Sequence, residues 1–89
     1  MSWTCNFTGD AQRDLDALPR TIQKRVARVV DNMEIDPFQG DVKALVGPER
    51  KGVFRRRIGS YRLLFTVDHA GKMAFVVRIL ARSGRTCRL

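Results

Sequence analysis

Over residues 2–8, SWTCNFT, the apolar positions Trp3, Cys5 and Phe7 alternate with polar ones, which predicts a short strand with one buried side. The period then changes. Ala11, Leu15 and Leu18 recur at helical spacing, and either Thr8 or Asp10 can cap a helix running through Leu18. Pro19 closes that helix, and Pro19-Arg20-Thr21 opens a second. In the second, Ile22, Val26, Val29, Val30 and Met33 make one stripe for burial, while Arg20, Gln23, Lys24, Arg28 and Asp31 read most simply as a solvated face, the alternative being a basic surface that touches RNA. Asp36-Pro37 ends it, because the residue before proline is pushed out of the α region.

The segment 36–52, DPFQGDVKALVGPERKG, is a long connection with three glycines and two prolines, and its Val42–Leu45 stretch suits one turn of helix. Alternation then returns. Gly59-Ser60 fits a two-residue hairpin turn with glycine first. That turn pairs Ile58 with Tyr61, Arg57 with Arg62, Arg56 with Leu63, Arg55 with Leu64 and Phe54 with Phe65. Phe54, Arg56, Ile58, Tyr61, Leu63, Phe65 and Val67 then share the core face, with Arg56 out of character there. Val53, Arg55, Arg57, Arg62, Leu64 and Thr66 share the other. A second hairpin is expected around the three-residue loop His69-Ala70-Gly71, with Gly71 in the left-handed position and Asp68 facing Lys72. The last strand, KMAFVVRILAR, then sets Met73, Phe75, Val77 and Ile79 against Ala74, Val76, Arg78, Leu80 and Arg82. In this register Arg62 faces Arg78, so Arg57, Arg62 and Arg78 form a row, with Arg55 beside it and Arg82 at its end. The element order is β-α-α-β-β-β, an α+β class in one domain, residues 1–89.

Charge changes this picture. The chain of 89 residues carries a net +8, but residues 1–42 sum to −2 and residues 43–89 to +10. From Arg50 to Val67 there is no Asp or Glu. A face built for solvent alone would mix signs. Clustered guanidinium groups without internal counter-charge point instead to an anion supplied from outside, and their planar fork suits phosphate. The plain alternative is a wet sheet face shielded by long arginine stems.

Other features exclude more than they add. No apolar run approaches the roughly 18 residues of a membrane span, and MSWTCNFTGD lacks the features of a secretory leader, so a cytoplasmic protein with no membrane partner is expected. Cys5 and Cys87 lie far apart with no metal-ligand spacing; one structural and one tail cysteine is the simpler reading, and a disulfide between them the other. No metal and no cofactor is expected. His69, the single histidine, sits in the turn-like DHAGK. RNA cleavage by 2′-OH attack needs a base, an acid and positive groups around the phosphorane. Arginine supplies only the last, since it stays protonated. The chain offers electrostatics without an evident base.

These residues resemble the RelE/ParE superfamily of bacterial toxins, and the RelE branch in particular. The likeness covers nearly the whole chain, through AQRDLDALP, the helix ending in DP, VKALVG, and above all FRRRIGSYRLLFTVD. The resemblance implies two N-terminal helices packed on a small, mainly antiparallel four-stranded sheet. It also implies the toxin of a type II toxin–antitoxin system, an endoribonuclease that cleaves mRNA in the A site of the ribosome, on its small subunit. A cognate acidic antitoxin is the implied partner. Carried over residue by residue, the catalytic set is Arg55, Arg57, Arg62 and Arg82. Lys43, Lys51, Arg78, Arg85 and Arg88 are the further basic positions expected to bind RNA. Two departures stand out: the tail RSGRTCRL lacks the tyrosine that many members carry, and Arg56 replaces a usual aliphatic residue. A ParE-like DNA gyrase inhibitor and a catalytically weak RNA-binding homologue are the alternatives.

Overall fold

Thr8 stands where an extended strand must become a helix, and its hydroxyl makes the join. The residue is extended (φ −73°, ψ 167°), its Oγ1 accepts the Ala11 N–H at 3.2 Å, and it donates to the Val77 carbonyl at 3.2 Å. In the computed structural model, which describes residues 3–40, 42–45 and 52–81, strand β1 (Thr4–Phe7) precedes this cap and helix α1 (Gly9–Asp16) follows it. The helix is two residues shorter than its apolar spacing implies. Ala17 caps it, and Leu18 packs on the core from the connection. Helix α2 (Arg20–Ile35) starts at Pro19 without a side-chain cap and ends where Asp36 turns extended before Pro37. The expected stripe is the one it buries: Val26, Val29 and Met33 fully, Ile22 and Val30 in part.

Five strands form one sheet in the order β1-β5-β4-β3-β2, comprising β2 (Val42–Ala44), β3 (Phe54–Ile58), β4 (Tyr61–Asp68) and β5 (Met73–Ala81) beside β1. All neighbours are antiparallel except β1 and β5, which run parallel from the Thr4–Met73 pair to Phe7–Val76. The class is α+β as expected, but the sheet has a fifth strand. Val42–Leu45 is not a helical turn: Val42, Lys43 and Ala44 ladder onto Arg56, Arg55 and Phe54. Three residues carry too little periodicity to reveal a strand, and a short edge bearing a lysine is a common way to blunt a sheet edge.

The core lies between the helices and one sheet face. Ile58, Leu63, Phe65, Ala74, Val76 and Ile79 meet Ala11, Val26, Val29 and Met33 there. Burying one such large side chain is worth roughly 1.5–3 kcal/mol.

The first hairpin has the expected register at every pair from Phe54–Phe65 to Ile58–Tyr61. Gly59 alone of its two turn residues has positive φ, +58°, as a type II′ turn requires. The second hairpin differs. Asp68 pairs with Met73, not Lys72, so the loop has four residues, His69–Lys72. Asp68 Oδ1 accepts the Ala70 and Gly71 N–H groups at 3.1 and 3.3 Å, and Lys72, not Gly71, takes the left-handed position (φ 53°). A bulge at Leu64/Phe65 then sets Leu64 opposite Arg78 but Phe65 opposite Val76. One extra residue reverses the alternation. Ala74 and Val76 are therefore buried with Ile79, while Met73, Phe75 and Val77 are only half-buried. Arg62 consequently faces Leu80, and the expected Arg57–Arg62–Arg78 row does not exist.

Candidate nucleic-acid interface

Two cross-strand rows cover the sheet face away from the helices. Lys43, Arg55, Leu64 and Arg78 make one; Arg57, Arg62 and Leu80 make the other. Directly opposite residues hold their Cβ atoms about 4.5–5.5 Å apart, and four adjacent strands span roughly 14 Å. Lys43, Arg55, Arg57 and Arg62 are thus brought onto one surface by the β2–β3–β4 ladders. The chemical peculiarity lies inside them. Arg55 Nη1 and Arg62 Nε are buried without a hydrogen-bond partner among the described residues. A buried donor left unpaired costs on the order of 1–3 kcal/mol, and more for a charged group. Both residues are partly exposed, so an oxyanion on this face can meet these nitrogens once the side chains turn outward.

Arg78 reaches the same face by register but is engaged elsewhere. Its Nε donates to Asp14 Oδ2 of α1 at 2.7 Å, and the Ile79 N–H donates to the same oxygen at 3.0 Å. The Arg78 hydrogen bond is the main reason that the Asp14 carboxyl is held below its ordinary range. Arg78 therefore closes the α1–β5 seam. Lys51, Arg82, Arg85 and Arg88 lie outside the described residues, as does Cys87.

The carboxylate bonded to this face, Asp14, is already committed to Arg78 and the Ile79 N–H, and its lowered pKa makes it a poor proton acceptor. Tyr61 points to the helix side with Leu63 and Phe65. His69 lies in the loop just past β4, seven residues on from Arg62 and roughly 23 Å away at strand rise, and stacks on Phe38 at 5.9 Å. The Cys5 thiol is pushed up to about 11, first by burial and then by Glu34, so it is inert as a nucleophile at neutral pH. Among the described residues no group of three or more His, Cys, Asp or Glu residues is arranged to hold a metal. No helix among them is long and apolar enough to cross a membrane.

A second basic concavity escapes sequence reasoning. Arg25 and Arg28 of α2 converge with Arg56 and Arg57 of β3 on a cleft of about 230 Å³. Helical spacing makes these α2 residues look like ordinary solvated surface. The hint in the sequence was Arg56, a charge in a row of core residues.

Comparison with known proteins decides the lineage. Residues 6–85 match the family described as the ParE toxin of the type II toxin–antitoxin system parDE. The chain belongs to this toxin family, within the RelE/ParE superfamily. The toxin is 30% identical to a chain of the RelBE2 toxin–antitoxin complex from Mycobacterium tuberculosis, over 92% of its own length and 100% of the other's, with a TM-score of 0.81. The archaeal RelE–RelB complex from Pyrococcus horikoshii OT3 shares the fold (TM-score 0.82, 23% identity, 94% and 99% coverage). So does the YoeB/ParE toxin from Agrobacterium tumefaciens (TM-score 0.76, 20% identity, 90% and 99% coverage). No curated protein sequence matches the toxin.

Proposed function

We propose that the toxin is a ribosome-dependent mRNA endonuclease, held inactive by a cognate acidic antitoxin. The observation that carries this reading is the pair of buried, unpartnered guanidinium nitrogens of Arg55 and Arg62 on the face that also bears Arg57 and Lys43. A bound phosphodiester would supply the missing acceptors as the two side chains turn outward to meet it. The 2′ oxygen attacks the adjacent phosphorus, the bond to the 5′ oxygen breaks, and the 2′-OH proton must leave while the 5′ oxygen gains one. Arg55, Arg57 and Arg62 stabilise the extra negative charge on the phosphorane, with Arg82 proposed as the fourth member. Preorganised donors of this kind act mainly through charge stabilisation. With no base beside them among the described residues, the toxin relies on the ribosome to align the 2′-OH with the scissile bond, a contribution of orientation. The antitoxin proposal draws on the RelB-bound relatives and on the +10 balance of residues 43–89.

A second reading has its own support. The matched family is named for parDE, and the tail lacks the tyrosine that many RelE-like members carry. On that reading the toxin inhibits DNA gyrase and cuts nothing. Two assays with purified toxin separate them: mapping mRNA ends after incubation with translating ribosomes, and gyrase supercoiling of relaxed plasmid. Ribosome-dependent cuts with unaffected supercoiling support the nuclease. Blocked supercoiling with intact mRNA establishes the gyrase inhibitor.

A further inference from the structure

The charges on α2 run against its dipole. Its first turn has no acidic residue and its last turn no basic one, while Arg20, Lys24, Arg25 and Arg28 fill its first nine positions. Helices gain stability from the opposite arrangement, typically acids first and bases last. Stability therefore does not account for this order. Arg25 and Arg28 have no ion-pair partner among the described residues. Both line the cleft that opens toward β3, opposite Arg56 and Arg57, with Val29 and Ile58 as its apolar base. No carboxylate is among the described lining residues. The cleft is also built closely. The Arg25 guanidinium lies over the hairpin turn, where a Cβ on Gly59 would come within 2.8 Å of Nη1. Arg56 is fixed from the other side by donating to the Gln39 carbonyl, and its Nε is buried without a partner.

We propose that this cleft, distinct from the sheet's arginine face, is a docking site for an acidic peptide segment of a protein partner. Two or more carboxylates would pair with Arg25, Arg28 and Arg56, with an aliphatic side chain against Val29 and Ile58. Charge complementarity and the apolar base favour a peptide. A nucleic-acid strand would call for aromatic side chains on which bases stack, and none lines the cleft among the described residues. The cleft and the RNA face meet at Arg57, so a seated segment reaches the edge of the catalytic surface. This inference rests on the reading of the chain as a toxin restrained by an acidic antitoxin, and it assigns where that restraint takes hold.

The test uses the full chain and the acetylated peptide Glu-Leu-Glu-Glu-Leu-Glu as probe, followed by amide chemical shifts. Shifts are expected at Arg25, Arg28, Val29, Ile58 and Gly59. In Arg25→Gln/Arg28→Gln, two exposed helix positions whose change leaves the core intact and places no carboxylate beside Arg57, affinity should fall at least 10-fold. Ribosomal mRNA cleavage by that variant should stay at the wild-type level. Peptide shifts centred on Arg55 and Arg62, or undiminished binding by the variant, would overturn the proposal. So would a short single-stranded RNA that binds the cleft when the peptide does not. Because the titration contains no RNA substrate, absence of nuclease activity would overturn the functional reading and leave the cleft result standing.

Discussion

Arg57 and Arg62 face each other directly across the β3–β4 ladder, next to the type II′ turn, and Arg62 carries a buried Nε with no partner among the described residues. Like charges at facing positions destabilise a strand pair by roughly 0.2–1 kcal/mol. An arrangement that costs stability in the free protein is one that binding can repair. Stability and function should then separate at this position. Arg62→Gln is expected to be more stable than wild type by about 0.5 kcal/mol, measured by urea unfolding, while losing toxicity on induction in cells. Lower stability together with lost toxicity would mean that Arg62 is structural.

That register was legible because one short turn fixed it. Gly59-Ser60 left a single way to pair FRRRI with YRLLF, and alternation then assigned each face. The next hairpin hid its register for two reasons. Asp68 organises a four-residue loop where glycine placement implied three, and AFVV is apolar in both phases, so the bulge left no trace in the pattern. The helices were readable from caps and stripe. Asp14 was not readable as the partner of Arg78, since 64 residues separate them. The Arg25–Arg28 cleft was hidden for a related reason, because arginines on a helix exterior look solvated until β3 and its turn are set beside them.

The Asp14–Arg78 seam should show in the acid limb of the stability curve. The folded-state pKa of Asp14 lies below its ordinary 3.8, chiefly through the Arg78 hydrogen bond. Its contribution is thus complete above about pH 4 and is lost as pH falls through the lowered value. Asp14→Asn should cost about 1 kcal/mol at pH 7, a modest figure because Arg78 is half exposed. The two unfolding curves should converge as pH falls through that lowered value. A constant offset across that range would exclude the ionised carboxylate as the cause.

Lys72 holds a backbone conformation that side chains resist, at φ 53°. Lys72→Gly should relieve it and raise stability by roughly 0.5–1 kcal/mol. Differential scanning calorimetry would record a rise of a few degrees in Tm. Gly71→Ala should do the reverse, because its Cβ would come within 3.1 Å of Asp68 Oδ2 and strain the carboxylate that orders the turn.

On the proposed reading, Arg55 and Arg62 act on a phosphodiester presented by the ribosome. Toeprinting of a defined mRNA on purified ribosomes, with wild type and Arg55→Gln/Arg62→Gln at equal folded concentration, tests it most directly. Wild type should cut within the A-site codon, and the variant should be at least about 100-fold slower, as expected when transition-state donors are removed. Intact mRNA with the wild-type toxin, or equal cutting by the variant, would contradict the assignment.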